Sequence, residues 1–331
     1  MFGINIIGTG SYSPKLTVTN DDMSKIVETN DEWISSRTGI KQRLLADGEA
    51  AWYMGAEAAK KAIAAAGISP EEIGLIVDST VTGDFYTPSC ACVIQNEIGA
   101  VNAAAFDVNA ACSGFVYGLD TAKRFLQTDE NLKYALVVSN EVLSRFVDYS
   151  DRSTCVLFGD GAGAVVIERA AADKLYSSYL SSDGSGAKFL YAKHAFPRHP
   201  FSTCDTDYGA DFPSENQFLY QDGKEVYKFA TKALPTASSK AAEKIGFDLN
   251  DIDRFIPHQA NIRIIETAAK NLGVSMDKFI VSLASHGNTS SASMPVAFDE
   301  AVRDGRIKHG QKLCFVGFGA GLTMGAIIME Y

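Results

Sequence analysis

The segments AAKKAIAAAGISPEEIGLIV (58–77) and ASSKAAEKIGFDLNDIDRFI (237–256) give the clearest indication of how this chain folds. In each one an Ala-rich helical stretch ends at a glycine, Gly67 or Gly246, which is a common helix terminator. A short acidic turn then leads into a hydrophobic run with the composition of a buried strand. The segments lie 179 residues apart, so the same helix, turn and strand occur twice.

Two further pairs of segments support an internal duplication. The same shift places GLDTA (118–122) on AFDEA (297–301). Near the ends of the two halves, GAVVIE (163–168) resembles GAIIME (325–330), with a shorter shift of 162. A period this long excludes a solenoid and indicates two similar α/β halves packed together, with a site at their junction. We expect the boundary near residue 172.

Composition and charge narrow the class of protein. Of the 331 residues, 46% are hydrophobic and 21% are charged, which is typical of a folded chain with a large core. The net charge of −10 argues against a surface that coats nucleic acid. No apolar run approaches the ~20 residues that span a bilayer, and the first residues lack a basic signal region. We therefore predict a cytoplasmic protein that binds neither nucleic acid nor membrane.

The six cysteines are scattered along the chain, without the density of a secreted disulfide scaffold. They are therefore interpreted as reduced thiols. Cys90 and Cys92 have no partners at zinc spacing, so we predict no metal site. Cys90, Cys92, Cys155 and Cys314 are assigned to the ordinary class of small buried cysteines.

Cys112 differs because of its place in VNAACSGFVYGLDTAKRFL (108–126), where a strand is expected to end near Asn109 and an amphipathic helix to begin at Cys112. The dipole and free N–H groups of a helix N-terminus lower the pKa of a thiol and can hold an oxyanion. The pattern therefore favours a covalent nucleophile, with a small buried cysteine as the alternative.

Two other motifs place polar side chains at strand ends. In FIPHQANIRII (255–265), His258 follows a buried strand, although a lone histidine is more often structural than catalytic. In SLASHGNTSSASMPVAF (282–298), the duplicated register puts Ser291 opposite Cys112 and Asn288 in the matching turn, where Asn could also be a helix cap. We predict that Cys112, His258 and Asn288 converge from three loops.

These motifs resemble the β-ketoacyl-acyl carrier protein synthase III family, thiolase-fold condensing enzymes that begin fatty-acid chains. The similarity runs nearly end to end. The matching segments are DEWISSRTGIKQR (31–43), NAACSGF (109–115), FGDGAGAVV (158–166), PHQANIRI (257–264), HGNTSSAS (286–293) and FGAGLTMGA (318–326).

The resemblance implies a thiolase-like α/β fold, with two duplicated halves packed as a layered αβαβα sandwich. Residues 1–172 would carry the nucleophilic cysteine, and residues 173–331 would carry the histidine and asparagine. An extended loop at about 190–222 looks longer than the family's usual loop by about a dozen residues, beyond ordinary loop lengths. It would be a lid, an acyl channel or a surface excursion.

The resemblance also implies a reaction. An acyl-CoA primer acylates Cys112, and a decarboxylative Claisen condensation with malonyl-acyl carrier protein then gives 3-ketoacyl-acyl carrier protein, CoA and CO2. His258 and Asn288 would support the decarboxylation. The oxyanion hole would combine the N–H groups of Cys112 and Ala320, where the family usually has Gly. No cofactor is implied, since the CoA and phosphopantetheine thioesters are substrates.

Other roles carried over by resemblance concern recognition. Trp33 and Arg152 would stack around the CoA adenine, with Arg37 and Thr38 at the nucleotide end. The alternative for Trp33 is helix packing, and for the arginines a surface ion pair.

Asn261 and the backbone near Gly223 would line the pantetheine tunnel, and Lys228 and Arg263 would dock the carrier protein. Thr87 stands where acetyl-using members often carry a Phe that caps the acyl pocket across a homodimer interface, so a wider pocket is expected.

Three alternatives remain open at this point. A related condensing or acyl-transfer enzyme of secondary metabolism, of polyketide or quinolone type, would carry the same motifs. A non-catalytic partner subunit is disfavoured because Cys112, His258 and Asn288 are all present. A thiol hydrolase would also use Cys and His, but it gains no support from the duplicated halves.

Overall fold

The computed structural model describes residues 3–170, 174–193, 201, 212 and 217–331. Within them the strands are β1 (Ile4–Tyr12), β2 (Leu16–Thr19), β3 (Gln42–Leu45), β4 (Ile73–Ser79), β5 (Ala104–Val108), β6 (Tyr134–Glu141), β7 (Gly161–Arg169), β8 (Tyr176–Ser182), β9 (Leu190–Tyr191), β10 (Tyr220–Gln221), β11 (Arg254–Pro257), β12 (Lys312–Gly319) and β13 (Thr323–Glu330). The α-helices are α1 (Asn20–Met23), α2 (Asp31–Thr38), α3 (Ala51–Ala66), α4 (Cys90–Ile98), α5 (Gly114–Thr128), α6 (Arg152–Cys155), α7 (Gly223–Glu243), α8 (Ile262–Leu272), α9 (Leu283–His286) and α10 (Ser293–Arg303).

Two large mixed sheets repeat one strand order. The first runs β1-β7-β6-β4-β5 and the second β8-β13-β12-β11. In the second sheet, a single bridge from Phe279 to Phe255 lies where β5 pairs in the first. Central strands of both sheets are parallel, β4 with β5 and β6, and β11 with β12, which is the pattern expected when helices cross between strands.

The helices complete five layers. α3 and α4 cover the outer face of the first sheet, α5 and α10 lie between the sheets, and α7 packs with α8 outside the second. In the middle layer the Phe315 ring lies 5.5 Å from Phe115 and 5.1 Å from Phe298, between ring centroids. The prediction of a layered α/β sandwich built from duplicated halves is confirmed.

The two middle helices repeat a buried ion pair. Asp120 accepts from Arg124 Nε at 2.7 Å on α5, and Asp299 accepts from Arg303 Nε at 3.0 Å on α10. Both carboxylates are almost fully buried and their partners lie one helical turn later. The register shift of 179 residues read from the sequence therefore places equivalent side chains in equivalent contacts.

The proposed division into 1–172 and 173–331 stays a prediction, because residues 171–173 lie outside the described residues. Most of the expected extended loop at about 190–222 lies outside them as well. None of the described helices is both long and apolar enough to span a bilayer.

Candidate functional site

A cavity of about 880 Å³ opens where loops of the two halves meet. Its walls include these residues singled out from the sequence: Cys112, His258, Asn288, Ala320, Asn261 and Gly223. The structure therefore brings the thiol, the imidazole and the carboxamide to one enclosed space. Strand ends of parallel sheets commonly form such sites.

Cys112 is carried by a tight turn after β5. A 3-10 turn spans Ala111–Ser113, and Ala111 has a φ of 46°, so the chain reverses sharply before α5 begins at Gly114. The end of β12 lies directly against this turn: a Cβ built on Gly319 would come within 2.6 Å of the Cys112 nitrogen. Glycine is needed there because any side chain would displace the amide that is a candidate oxyanion donor.

The expected lowering of the Cys112 thiol pKa is wrong. The α-helix begins two residues later than predicted, and burial raises the pKa of Cys112 to about 12, although the neighbouring Ser290 hydroxyl acts in the opposite direction. Removing water from around a thiolate outweighs the stabilisation from nearby donors. The resting group is therefore the protonated thiol.

His258 follows β11 directly and is 1% exposed. Its Nδ1 lies 2.8 Å from Ser293 Oγ, which also accepts the Gln259 N–H at 3.2 Å. Because that oxygen already accepts a hydrogen bond, its own hydrogen can donate to Nδ1, an arrangement that favours the tautomer with hydrogen on Nε2. Burial lowers the pKa of His258 to about 3, so the ring is neutral near pH 7.

The Nε2 atom of His258 is buried and has no partner among the described residues. Unsatisfied buried polar atoms are uncommon and point to a ligand or a catalytic role. Since His258 lines the cavity, this atom is suited to donate to a bound substrate.

Asn288 is fixed by its backbone. Its N–H donates to Leu157 at 2.9 Å, and its carbonyl accepts from Gly159 at 3.0 Å. The side-chain Oδ1 accepts the Ser290 N–H at 2.9 Å, which leaves the hydrogens of Nδ2 for a ligand. Asn288 and His258 can thus both act as donors at the cavity wall.

Ala320 lies in the turn after β12 and lines the cavity with Gly319 and Gly321. Thr323 Oγ1 ties this turn to the cysteine turn, with Ser113 Oγ at 2.8 Å and the Ala320 carbonyl at 3.0 Å. The pairing of the Ala320 and Cys112 amides in an oxyanion hole stays a prediction.

Trp33, Arg37 and Arg152 form one cluster outside the cavity. The two guanidinium carbons lie 4.6 Å and 4.8 Å from the Trp33 ring centroid. Cations favour aromatic faces in this way, so the cluster has the side chains that a stacking site for a base requires. Arg152 itself, however, occupies one position against the ring. Thr38 is buried and its hydroxyl donates to the Ile34 carbonyl at 2.7 Å, so its own helix already engages the hydroxyl.

Asn261 and Gly223 lie at the first turns of α8 and α7. Asn261 Oδ1 caps α8 by accepting the Arg263 N–H at 2.9 Å. Lys228 is exposed and pairs with Glu225 at 3.3 Å. Arg263 donates to the Ser36 carbonyl at 2.9 Å and so links α8 to α2. Their docking roles stay predictions.

Thr87 is exposed and does not belong to the described cavity lining, whereas the adjacent Tyr86 does. The wider pocket expected from Thr87 concerns an acyl pocket across a subunit interface, so it stays a prediction. Within the described residues, no group of three or more His, Cys, Asp or Glu side chains could hold a metal ion. The expectation that the protein needs no cofactor stays a prediction.

Sequence reasoning missed Ser293 and Glu141. Ser293 is the second-half equivalent of Gly114, and this exchange of glycine for serine in the duplicated register was a usable signal. Glu141 ends the otherwise uncharged run YALVVSN (134–140), and an acidic residue at the end of such a strand could have been noticed.

Comparison with known proteins shows the family of this chain. Residues 106–184 match the family 3-oxoacyl-[acyl-carrier-protein (ACP)] synthase III, and residues 242–331 match its C-terminal region. The chain is 50% identical to the beta-ketoacyl-[acyl-carrier-protein] synthase III of Clostridium acetobutylicum, over 100% of this chain and 99% of the relative. The chain belongs to the 3-oxoacyl-[acyl-carrier-protein] synthase III family.

Solved structures of synthase III proteins share the fold. The enzyme of Aquifex aeolicus VF5 is 40% identical over 99% of this chain and 100% of its own, with a TM-score of 0.90. A priming β-ketosynthase of the R1128 polyketide pathway is 35% identical over 99% of this chain and 96% of its own, with a TM-score of 0.88. Curated synthase III relatives, such as those of Clostridium acetobutylicum and Clostridium novyi, are 50% and 44% identical to this chain, which gives the polyketide alternative less support.

Proposed function

We propose that this protein is a β-ketoacyl-acyl carrier protein synthase III, which transfers an acyl-CoA primer to Cys112 and condenses it with malonyl-acyl carrier protein. The observation that carries this proposal is the convergence of a thiol, a neutral imidazole and a carboxamide on one cavity, in a chain of the synthase III family. The products are 3-ketoacyl-acyl carrier protein, CoA and CO2.

The first half-reaction is thiol exchange. Cys112 Sγ attacks the thioester carbonyl, the tetrahedral oxyanion accepts from the Cys112 N–H and the Ala320 N–H, and CoA departs as a thiol with the cysteine proton. Because burial raises the pKa of Cys112 to about 12, the thiol must lose its proton in order to attack, and that proton leaves on the CoA sulfur. Acyl-cysteine and CoA are the two products.

The second half-reaction is decarboxylative. Loss of CO2 from the malonyl thioester leaves an enolate whose oxygen accepts from His258 Nε2–H and Asn288 Nδ2–H. A neutral imidazole suits this role, since it donates a hydrogen bond without protonating the carbanion. The carbanion then attacks the acyl-cysteine carbonyl, and the Cys112 sulfur leaves as a thiolate that takes a proton from water.

Recognition of CoA is assigned to the Trp33, Arg37 and Arg152 cluster together with Asn261 and Gly223. Arg152 must move from the indole face for a base to enter between them, because its guanidinium carbon lies only 4.8 Å from the ring centroid. Thr38 would contribute through its backbone, since its hydroxyl is engaged within α2.

The acyl pocket accepts primers larger than acetyl. Leu143, Phe146 and Phe158 give the cavity an apolar wall, and Thr87 stands where a capping Phe is common in acetyl-using relatives. The protein also acts as a cytoplasmic homodimer that needs no cofactor, and gel filtration checks the subunit number.

The test of the function is acylation followed by condensation. Purified protein is incubated with a pool of acetyl-, branched and medium-chain acyl-CoA, and its intact mass is measured before and after malonyl-acyl carrier protein is added. Adducts on Cys112 that disappear with release of CO2 support the proposal, whereas the Cys112→Ala variant should carry none. Release of free acid without malonyl-acyl carrier protein would identify a hydrolase, and a strict acetyl preference would contradict the wider pocket.

Carrier-protein docking is tested by reversing charge. Lys228→Glu should raise the KM for malonyl-acyl carrier protein about tenfold while that for acyl-CoA changes less than about twofold. Lys240→Glu is the matched control, since Lys240 lies on the same helix and, like Lys228, pairs with a glutamate three residues away, Glu243. Arg263→Glu should behave like Lys228→Glu, although its contact with Ser36 makes it less specific. Equal effects on both substrates would remove the docking role.

A further inference from the structure

Glu141 is a fully buried carboxyl group that the reaction described above does not use. It is the last residue of β6, and every residue of that strand is buried. A lone ionised carboxylate in such a place is costly, so Glu141 must be either neutral or strongly solvated by donors.

The contacts of its two oxygens differ. Oε2 accepts from Thr82 Oγ1 at 2.6 Å, from the Val81 N–H at 3.2 Å and from Thr80 Oγ1 at 3.4 Å. Oε1 lies 2.7 Å from Ser291 Oγ, and the same Ser291 oxygen lies 2.9 Å from the carbonyl oxygen of Ser79. Ser291 therefore stands between two acceptors.

Counting hydrogens at Ser291 indicates the protonation state of Glu141. A hydroxyl has one hydrogen and can donate to only one of the two oxygens. With an ionised Glu141, the other short contact would bring two lone pairs together. With a proton on Oε1, Glu141 donates to Ser291, and Ser291 donates to Ser79, so both contacts are hydrogen bonds. Burial raises the pKa of Glu141, although the hydrogen bonds from Thr82, Ser291, Val81 and Ser290 act in the opposite direction.

This hydrogen-bonded chain joins the two halves behind the cavity. Ser291 is the middle residue of the turn Ser290–Ala292, and the N–H of Ser290 orients the Asn288 side chain. Glu141 belongs to β6 of the first sheet, whose parallel neighbour β4 pairs with the strand that leads to Cys112. The contact thus connects the sheet that carries the Cys112 turn with the turn that orients the Asn288 carboxamide.

We propose that Glu141 is a neutral positioning residue that holds the turn of Asn288 in register with the turn of Cys112. The inference deepens the proposed function and rests on it, since it predicts which half-reaction depends on the contact. An ionised carboxylate at this place would also raise the Cys112 pKa and so disfavour the reactive thiolate, whereas a neutral acid would not.

The test uses three variants and a control. Glu141→Gln keeps a donor toward Ser291 and an acceptor toward Thr82, so both half-reactions should stay within about threefold of wild type. Glu141→Leu and Ser291→Ala break the chain, and decarboxylation should fall at least about tenfold while Cys112 acylation changes less than about threefold, because small misplacements of donors are costly. Ser177→Ala, which removes a buried serine contact to the Ala241 carbonyl far from the cavity, should change neither rate.

A second readout does not depend on activity. Infrared difference spectra of wild type against Glu141→Gln should show the carbonyl stretch of a protonated carboxylic acid at about pH 8, well above the ordinary Glu pKa of about 4.3. A carboxylate band there, or a large loss of activity in Glu141→Gln, would overturn the neutral role. Wild-type decarboxylation in Ser291→Ala would overturn the positioning role. Failure of the wild-type protein in both half-reactions would instead refute the proposed function.

Discussion

The turns Ala111–Ser113 and Ser290–Ala292 occupy equivalent places in the two halves, yet their side chains have different surroundings and different roles. Both begin with a residue of positive φ, 46° at Ala111 and 50° at Ser290. In both, an asparagine two residues earlier accepts the N–H of that first residue on its Oδ1 atom. The distance is 3.3 Å for Asn109 and 2.9 Å for Asn288. The backbone design was therefore kept after duplication.

The middle and following residues separate the two turns. Cys112 lines the cavity, whereas its equivalent Ser291 is fully buried against Glu141. Gly114 leaves no room for a side chain, since its Cβ would lie 1.8 Å from Ser79 Oγ, while its equivalent Ser293 supports His258. One turn thus supplies the candidate nucleophile and the other supplies the orientation of its partners.

Moving the thiol should have the largest effect on the difference between the two turns. The Cys112→Ala variant should lose acylation by at least about 10³-fold, because the nucleophile is gone. In the double variant Cys112→Ser with Ser291→Cys, residue 291 should stay unmodified, since that position has no access to the cavity. Peptide mass mapping after incubation with acyl-CoA locates any adduct. Acylation at position 291 would contradict the difference between the turns.

The paired asparagines allow a direct test. Asn288→Ala should lower the decarboxylation rate about 10²-fold, as loss of one oxyanion donor commonly does, and leave acylation within about threefold. Asn109→Ala removes the equivalent backbone contact and should cost less than about fivefold in either step. Half-reactions measured separately by intact mass and CO2 release check this. Similar losses in the two variants would show that both asparagines act structurally.

The raised Cys112 pKa predicts how its reactivity varies with pH. Because the thiolate is the reactive form, alkylation by iodoacetamide should become about tenfold faster per pH unit from about pH 7 to about pH 10. The rate rises with pH because burial raises the Cys112 pKa to about 12, so the thiol is mostly protonated throughout this range and the thiolate fraction grows with each pH unit. Cys112→Ser identifies the signal in peptide maps. A plateau near pH 8 would show that the helix N-terminus dominates over burial.

The buried aspartates of the middle helices test the duplication through stability alone. Asp299 accepts from Thr9, Ser11 and Arg303, whereas Asp120 accepts from Arg124 and Tyr176.

Asp299→Ala should therefore lower the free energy of unfolding by about 3 kcal/mol and Asp120→Ala by about 2 kcal/mol, since bonds to charged groups are the stronger ones. Urea unfolding measures both, and the rates per folded molecule should not change. A larger loss of unfolding free energy in Asp120→Ala than in Asp299→Ala would mean that packing, rather than the number of hydrogen-bond partners, determines the destabilisation.

The sequence located the candidate site but not its electrostatics. Strand ends before Cys112 and His258, and the register that set Ser291 opposite Cys112, could be read from residue patterns. The direction of the Cys112 pKa could not, because burial depends on every neighbouring element. The Glu141 contact was also missed, since its partner lies 150 residues away and no local pattern reports such a pair.

Residue patterns alone predict the α/β class, the duplication and the residues that follow the strands of the site, because hydrophobic periodicity and glycine placement act over a few residues. The tertiary structure decided which of two equivalent turns faces the cavity, which tautomer His258 favours and why the thiol rests protonated. These properties arise from desolvation and from hydrogen bonds between distant segments, and such contacts exist only after the two halves have packed together.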